Sequence, residues 1–200
     1  MLLQPPEAGI LAALAASEGG KTDLAQARQD FYDVLCVPQS GRYISPYAHV
    51  LAQGRLLGDN CWNFPPPRFD GGDALAAWYE AVDFDPMQLD VDPMLKGPHR
   101  SLDQVGFILA YLAGLVASQE TGPDDGLTAD GVIEAFLAEH LGGWLDLFTT
   151  LLRDCGSPYL RAVAEATVEA VGEARARYSC AGRASDRQPA TASRPGAGTI

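Results

Sequence analysis

Basic residues are scarce in this 200-residue chain: 14 Lys and Arg stand against 26 Asp and Glu, a formal net charge of −12. That balance excludes a phosphate backbone or an anionic membrane surface as the main partner, since both need clustered cations. Long apolar runs are also missing. The longest, residues 105–117, has thirteen residues, whereas a membrane span needs about twenty, so it reads as a buried core helix. No C-x-x-C pair occurs, and Cys36, Cys61, Cys155 and Cys180 have no histidine at zinc spacing, which removes the usual structural zinc patterns. A secretory leader is not expected either: the apolar run 10–16, its best candidate, has no basic residue before it, Lys21 being the first. The expectation is a reducing cytoplasm with free thiols.

Catalytic signatures are equally thin. Gly20-Lys21-Thr22 looks like the end of a phosphate-binding loop, but Ala15 stands where that loop needs glycine, and a helix rather than a strand precedes it. His49, His99 and His140 are far apart and form no H-E-x-x-H, and no G-x-S-x-G elbow offers a nucleophilic serine. Asp83, Asp85, Asp90 and Asp92 suggest calcium, yet a loop begun at Asp83 puts Met87 and Gln88 at the ligand and glycine positions. Neither an enzyme nor a bound metal or cofactor is expected.

What is present is apolar periodicity. With 47% hydrophobic and 20% charged residues, the chain can bury enough surface to offset its ordering entropy. An alanine-rich stretch predicts a helix over 5–18 that Gly19-Gly20 ends. Thr22 and Asp23 cap a second, carrying Leu24, Ala27, Phe31 and Leu35 until Pro38, and a third is expected over 46–57. Residues 58–72, with Pro65-Pro66-Pro67, read as a loop before a helix over 73–82. Ser101 and Gln104 form a capping box for the central helix, Thr128 caps a helix running to 152 through Gly142-Gly143, and Ser157-Pro158 start the last one. Trp78 and Trp144 are expected in the core. No segment has strand character. The fold class is therefore an all-α, single-domain helical bundle over 1–178, followed by a disordered tail over 179–200.

Charge is uneven. The tail holds Arg183, Arg187 and Arg194 against Asp186, so the preceding 178 residues carry −14. Between Asp70 and Asp92 lie seven acids and no Lys or Arg, a stretch that suits a basic ligand.

Three segments add a resemblance. Phe31-Tyr32-Asp33-Val34-Leu35-Cys36-Val37-Pro38, then Gly41 and Pro46-Tyr47, resembles the early "Y-x-x-L-F…P…G…P" stretch of the TorD/DmsD/NarJ family of redox-enzyme maturation chaperones. Residues 98–107 lie where that family carries "P-D-H-x-x-x-E-L-x-F": Pro98, Val105, Gly106 and Phe107 match, while His99-Arg100 stand at Asp-His and Gln104 at Glu. Phe136-Leu137-Ala138-Glu139-His140-Leu141-Gly142-Gly143-Trp144 is similar to its "F-L-x-E-H-L-x-x-W" helix. The resemblance spans about residues 27–172. It implies an all-helical cytoplasmic chaperone that binds the twin-arginine signal peptide, or the apo catalytic subunit, of a molybdenum-cofactor oxidoreductase, without nucleic acid, membrane insertion or a cofactor of its own. The client-binding candidates are Asp83 and Asp85 from the acidic stretch, and Pro98, His99, Arg100, Asp103, Gln104, Glu139 and His140 from the family-like segments. The alternative is a helical small-ligand binder or enzyme with a cleft around His99, Asp103, Glu139 and His140. A third is a permanent helical subunit of a larger complex.

Overall fold

A computed structural model describes residues 2–7, 23–58, 61–95, 101–121 and 126–179 of the chain. The helix expected over 5–18 lies outside the described residues from position 8, as does the tail from position 180. Seven α-helices and one two-stranded hairpin make up the regular structure of the described residues.

Helix α1 (Leu24–Phe31) begins where Asp23 accepts the Ala25 N–H at 3.2 Å, and it buries Ala27, Asp30 and Phe31. A π turn over Tyr32–Cys36 continues it, and Pro38 ends the run. Helix α2 (Ala48–Leu51) is much shorter than expected. Gly54 interrupts it, and a Cβ there would meet the Phe64 ring at 2.6 Å. The chain then enters strand β1 (Arg55–Gly58), which pairs antiparallel with β2 (Cys61–Asn63), Leu56 opposite Trp62. Leu56 and Leu57 are 57% and 67% exposed, so no apolar face holds these residues in a helix.

Helix α3 (Asp73–Glu80) matches expectation within two residues. Three residues past its end, Asp83 has a left-handed φ of 53°. Helix α4 (Val105–Thr121) is central, as expected: Val105 and Phe107 belong to one core cluster with Phe31, Leu35, Phe148 and Leu160, whereas Ile108, Tyr111 and Leu112 belong to a second with Leu75, Phe136 and Leu145. Its start differs from the expected capping box. Ser101 Oγ donates to Asp103, and Gln104 caps the helix by accepting the Phe107 N–H at 3.1 Å. The helix expected over 128–152 is two, α5 (Gly126–His140) and α6 (Gly143–Asp154). A Cβ on Gly142 or Gly143 would meet nothing within 4 Å, so these glycines break the helix rather than admit a close neighbour. Helix α7 (Pro158–Tyr178) starts as expected, with Ser157 accepting the Leu160 N–H. No helix among the described residues is long and apolar enough to cross a membrane.

Two side chains depart from their expected burial. Trp144 is half-buried, touching both core clusters, and Trp78 is half-buried against the second. The acidic stretch also divides. Asp92 is buried, accepting Tyr32 OH at 2.9 Å and the Met94 N–H at 2.8 Å, while the other six acids are exposed. Asp92 is thus a structural acceptor and not part of a charged surface.

Candidate functional site

The segment 101–104 runs antiparallel beside the start of α2: the Ala48 N–H donates to Asp103 O at 3.0 Å, and the Val105 N–H to Pro46 O at 2.8 Å. This pairing buries the Asp103 carboxylate beside His49. It accepts the His49 backbone N–H at 2.6 Å, the His49 Nδ1–H at 2.7 Å, and the Ser101 hydroxyl. On the far side of the ring, His49 Nε2 accepts the Arg68 N–H at 3.0 Å, which leaves Nδ1 as the ring nitrogen that donates to Asp103. Gly71 lies against that ring, and a Cβ there would overlap the imidazole. Asp103 therefore spends its acceptor capacity inside the fold. Gln104 is buried too, and its Nε2 makes no hydrogen bond. Pro98, His99 and Arg100 lie outside the described residues.

Glu139 and His140 stand at the end of α5. The His140 ring packs edge-on against Trp78, with centroids 5.3 Å apart, and tilted against Phe136 at 5.1 Å. Burial pushes the His140 pKa below its ordinary value, only partly opposed by Glu139, whose carboxylate is 3.9 Å from Nε2. Glu139 itself is exposed. The carbonyls ending α5 are capped by side chains, His140 O accepting Trp144 Nε1–H at 3.0 Å and Leu141 O accepting from Arg175. The F-L-x-E-H-L-x-x-W pattern is thereby accounted for locally: Phe136, Leu137 and Leu141 fill the core, and Trp144 closes the break between helices.

Asp83 and Asp85 are exposed after α3, and Asp85 caps a short turn by accepting the Met87 N–H at 2.8 Å. Asp73, Glu80, Asp83, Asp85 and Asp90 have no ion-pair partner among the described residues, whereas Asp70 lies 3.6 Å from Arg68. A separate groove of about 540 Å³ runs between α4 and α7, lined by Leu109, Leu112, Val116, Val171, Ala174 and Tyr178, with Glu173 and Arg177 at its edge.

The cleft imagined around His99, Asp103, Glu139 and His140 does not form from its described members. Asp103 is engaged by His49 and His140 by Trp78 and Phe136, and among the described residues no hydrogen bond or ion pair links Asp103 to Glu139 or His140. No group of three His, Cys, Asp or Glu among the described residues could hold a metal ion. Sequence reasoning missed His49, which nothing local marked as the partner of a carboxylate 54 residues away. It also missed the groove, which only the crossing of α4 and α7 creates.

A scan against protein-family models matches residues 3–150 to the family described as nitrate reductase delta subunit. The chain belongs to this family. Delta-subunit proteins are the NarJ-type members of the chaperone family that the sequence resembles, and they are maturation chaperones of molybdoenzymes, acting with nitrate reductase-type catalytic subunits. The delta-subunit match takes in both His49 and Asp103, the acidic stretch, and Glu139 with His140, but stops short of α7. Searches of curated proteins and of solved structures return no match.

Proposed function

We propose that this delta-subunit protein acts in the cytoplasm by binding the N-terminal twin-arginine signal peptide of a nitrate reductase-type catalytic subunit, holding it until the molybdenum cofactor is loaded. It carries out no catalysis itself. The observation that supports this reading is the run of five exposed carboxylates from Asp73 to Asp90 without a cationic partner among the described residues. A guanidinium seeks a planar pair of acceptors, and such a surface supplies several. The apolar groove between α4 and α7 offers surface for the hydrophobic part of the same peptide. Of the candidate residues, Asp83, Asp85 and Glu139 are the accessible acids, while Asp103 and Gln104 act by holding the loop that follows 98–100.

Calorimetric titration with a twin-arginine peptide and its twin-lysine version, at low and moderate salt, tests the reading. The arginine peptide should bind more tightly, and its affinity should fall as salt rises. Asp83→Lys with Asp85→Lys should weaken it further, because charges within a Debye length of about 10 Å at 0.1 M salt still act on the ligand. Equal affinity for both peptides, or none for either, would remove arginine recognition and leave binding of the enzyme body.

A further inference from the structure

We propose that residues 2–7 are a strap lying in a seat for an extended peptide, and that the client takes this seat by displacing them, an inference that rests on the twin-arginine reading above. Three contacts define the seat. The Asp92 N–H donates to Leu3 O at 2.8 Å, Arg28 Nε donates to Pro6 O at 3.0 Å, and the Leu3 side chain lies over Gly106 at the start of α4. A Cβ on Gly106 would stand 2.5 Å from Leu3 Cδ2 and 2.9 Å from Gln104 Oε1, so the bare backbone there admits the leucine and the Gln104 amide together. Leu2 is buried in the core cluster that holds Val91 and Val105. The strap forms no helix or strand, and the seat reads only its main-chain carbonyls and apolar side chains, which any extended apolar peptide carries. The strap also leaves the seat incompletely used: Gln104 is buried and its Nε2 has no partner, a donor that one further peptide carbonyl would satisfy. Acids adjoin the seat, since exposed Asp90 precedes the Asp92 donor by two residues. The client's arginine pair would meet those carboxylates and the extended residues beside the pair would fill the seat, leaving the groove between α4 and α7 for its longer hydrophobic run. Residues 8–22 join the strap to Asp23, and fifteen residues reach up to about 50 Å, enough for the strap to leave without disturbing α1.

The test is calorimetric titration of the full chain with a twin-arginine peptide. Leu3→Ala loosens the strap and should tighten binding about three- to tenfold, because an internal occupant lowers the apparent affinity to the fraction of molecules whose seat is open. A strap that only supports the fold would leave affinity unchanged or lower it. Leu3→Cys with Gly106→Cys brings two Cβ atoms within reach of a disulfide. With that bond formed and verified by mass, the locked chain should bind at least about tenfold more weakly than the same protein reduced, wild type under both conditions serving as the reference for the native thiols. Equal affinity in the oxidised and reduced double variant, or no gain in Leu3→Ala, would overturn the strap while leaving the twin-arginine reading intact. Binding by Leu3→Ala where wild type shows none would support it. If neither chain binds an arginine peptide, that reading fails and the strap fails with it.

Discussion

The indole N–H of Trp144 donates to the carbonyl oxygen of His140 at 3.0 Å, spanning Leu141 and Gly142, which separate α5 from α6. The bond converts a helix break into a defined corner, because the carbonyl that would continue α5 is satisfied by a side chain from the next helix. Trp144→Phe keeps the ring and removes the donor, and should cost about 1 kcal/mol. Trp144→Ala should cost more, about 2–3 kcal/mol, since a half-buried ring gives up less than a fully buried one. Urea unfolding of both variants measures the difference, and equal costs would show that the bond contributes nothing.

Asp103 is the acceptor for three donors and is itself buried. Asp103→Asn puts an amide donor among N–H and O–H donors, and should destabilise the protein by about 2–4 kcal/mol, while His49→Ala leaves the carboxylate with an unmet side and should approach that cost. A chemical denaturation midpoint close to wild type in either variant would mean that the pair is dispensable to the fold.

Asp30 ties α1 to the turn between α6 and α7 through Arg42, whose Nη1 lies 2.9 Å from Asp30 Oδ1 and whose Nη2 donates to Cys155 O at 3.1 Å. Burial raises the Asp30 pKa, but bonds from Ser157, Arg42 and Gln26 outweigh it and the net shift is downward. A depressed carboxyl contributes stability above its unfolded value of about 3.9, and loses it as pH falls through the lower folded value. The stability difference between wild type and Asp30→Asn should therefore be constant from pH 7 to about 5 and shrink below about 4. A difference that holds its size at low pH would assign the effect to packing alone.

The Ser179 N–H closes α7 on Arg175 O at 2.9 Å, and Tyr178 is buried. The remaining residues, 180–200, lack an apolar period in their sequence, so removing them should move the thermal midpoint by less than about 2 °C. A fall of many degrees would show that this segment is docked on the domain.

Much of the architecture was legible because end signals and apolar periods agreed. Ser157-Pro158, Asp23 and the run behind Gln104 each mark a true helix start. Gly142-Gly143 was harder, since leucines and aromatics keep period across it, and the side-chain caps from Trp144 and Arg175 that satisfy the carbonyls at the break come from residues the local pattern does not mark. The hairpin escaped because Leu56-Leu57 is neither β-branched nor alternating, although Asp59-Asn60 between the strands is a turn signal that could have raised it. At the site, charge was legible but burial was not. Asp92 and Asp103 read like their exposed neighbours, and only Tyr32 and His49, brought from distant parts of the chain, distinguish them.

Asp83 adopts a left-handed backbone, a conformation that costs any residue with a Cβ and costs glycine nothing. The chain thus holds a carboxylate at a corner where its own main chain would be more relaxed without a side chain. Asp83→Gly would loosen that tension and discharge the corner in a single step, so thermal stability and grip on a cationic peptide would travel in opposite directions from one exchange.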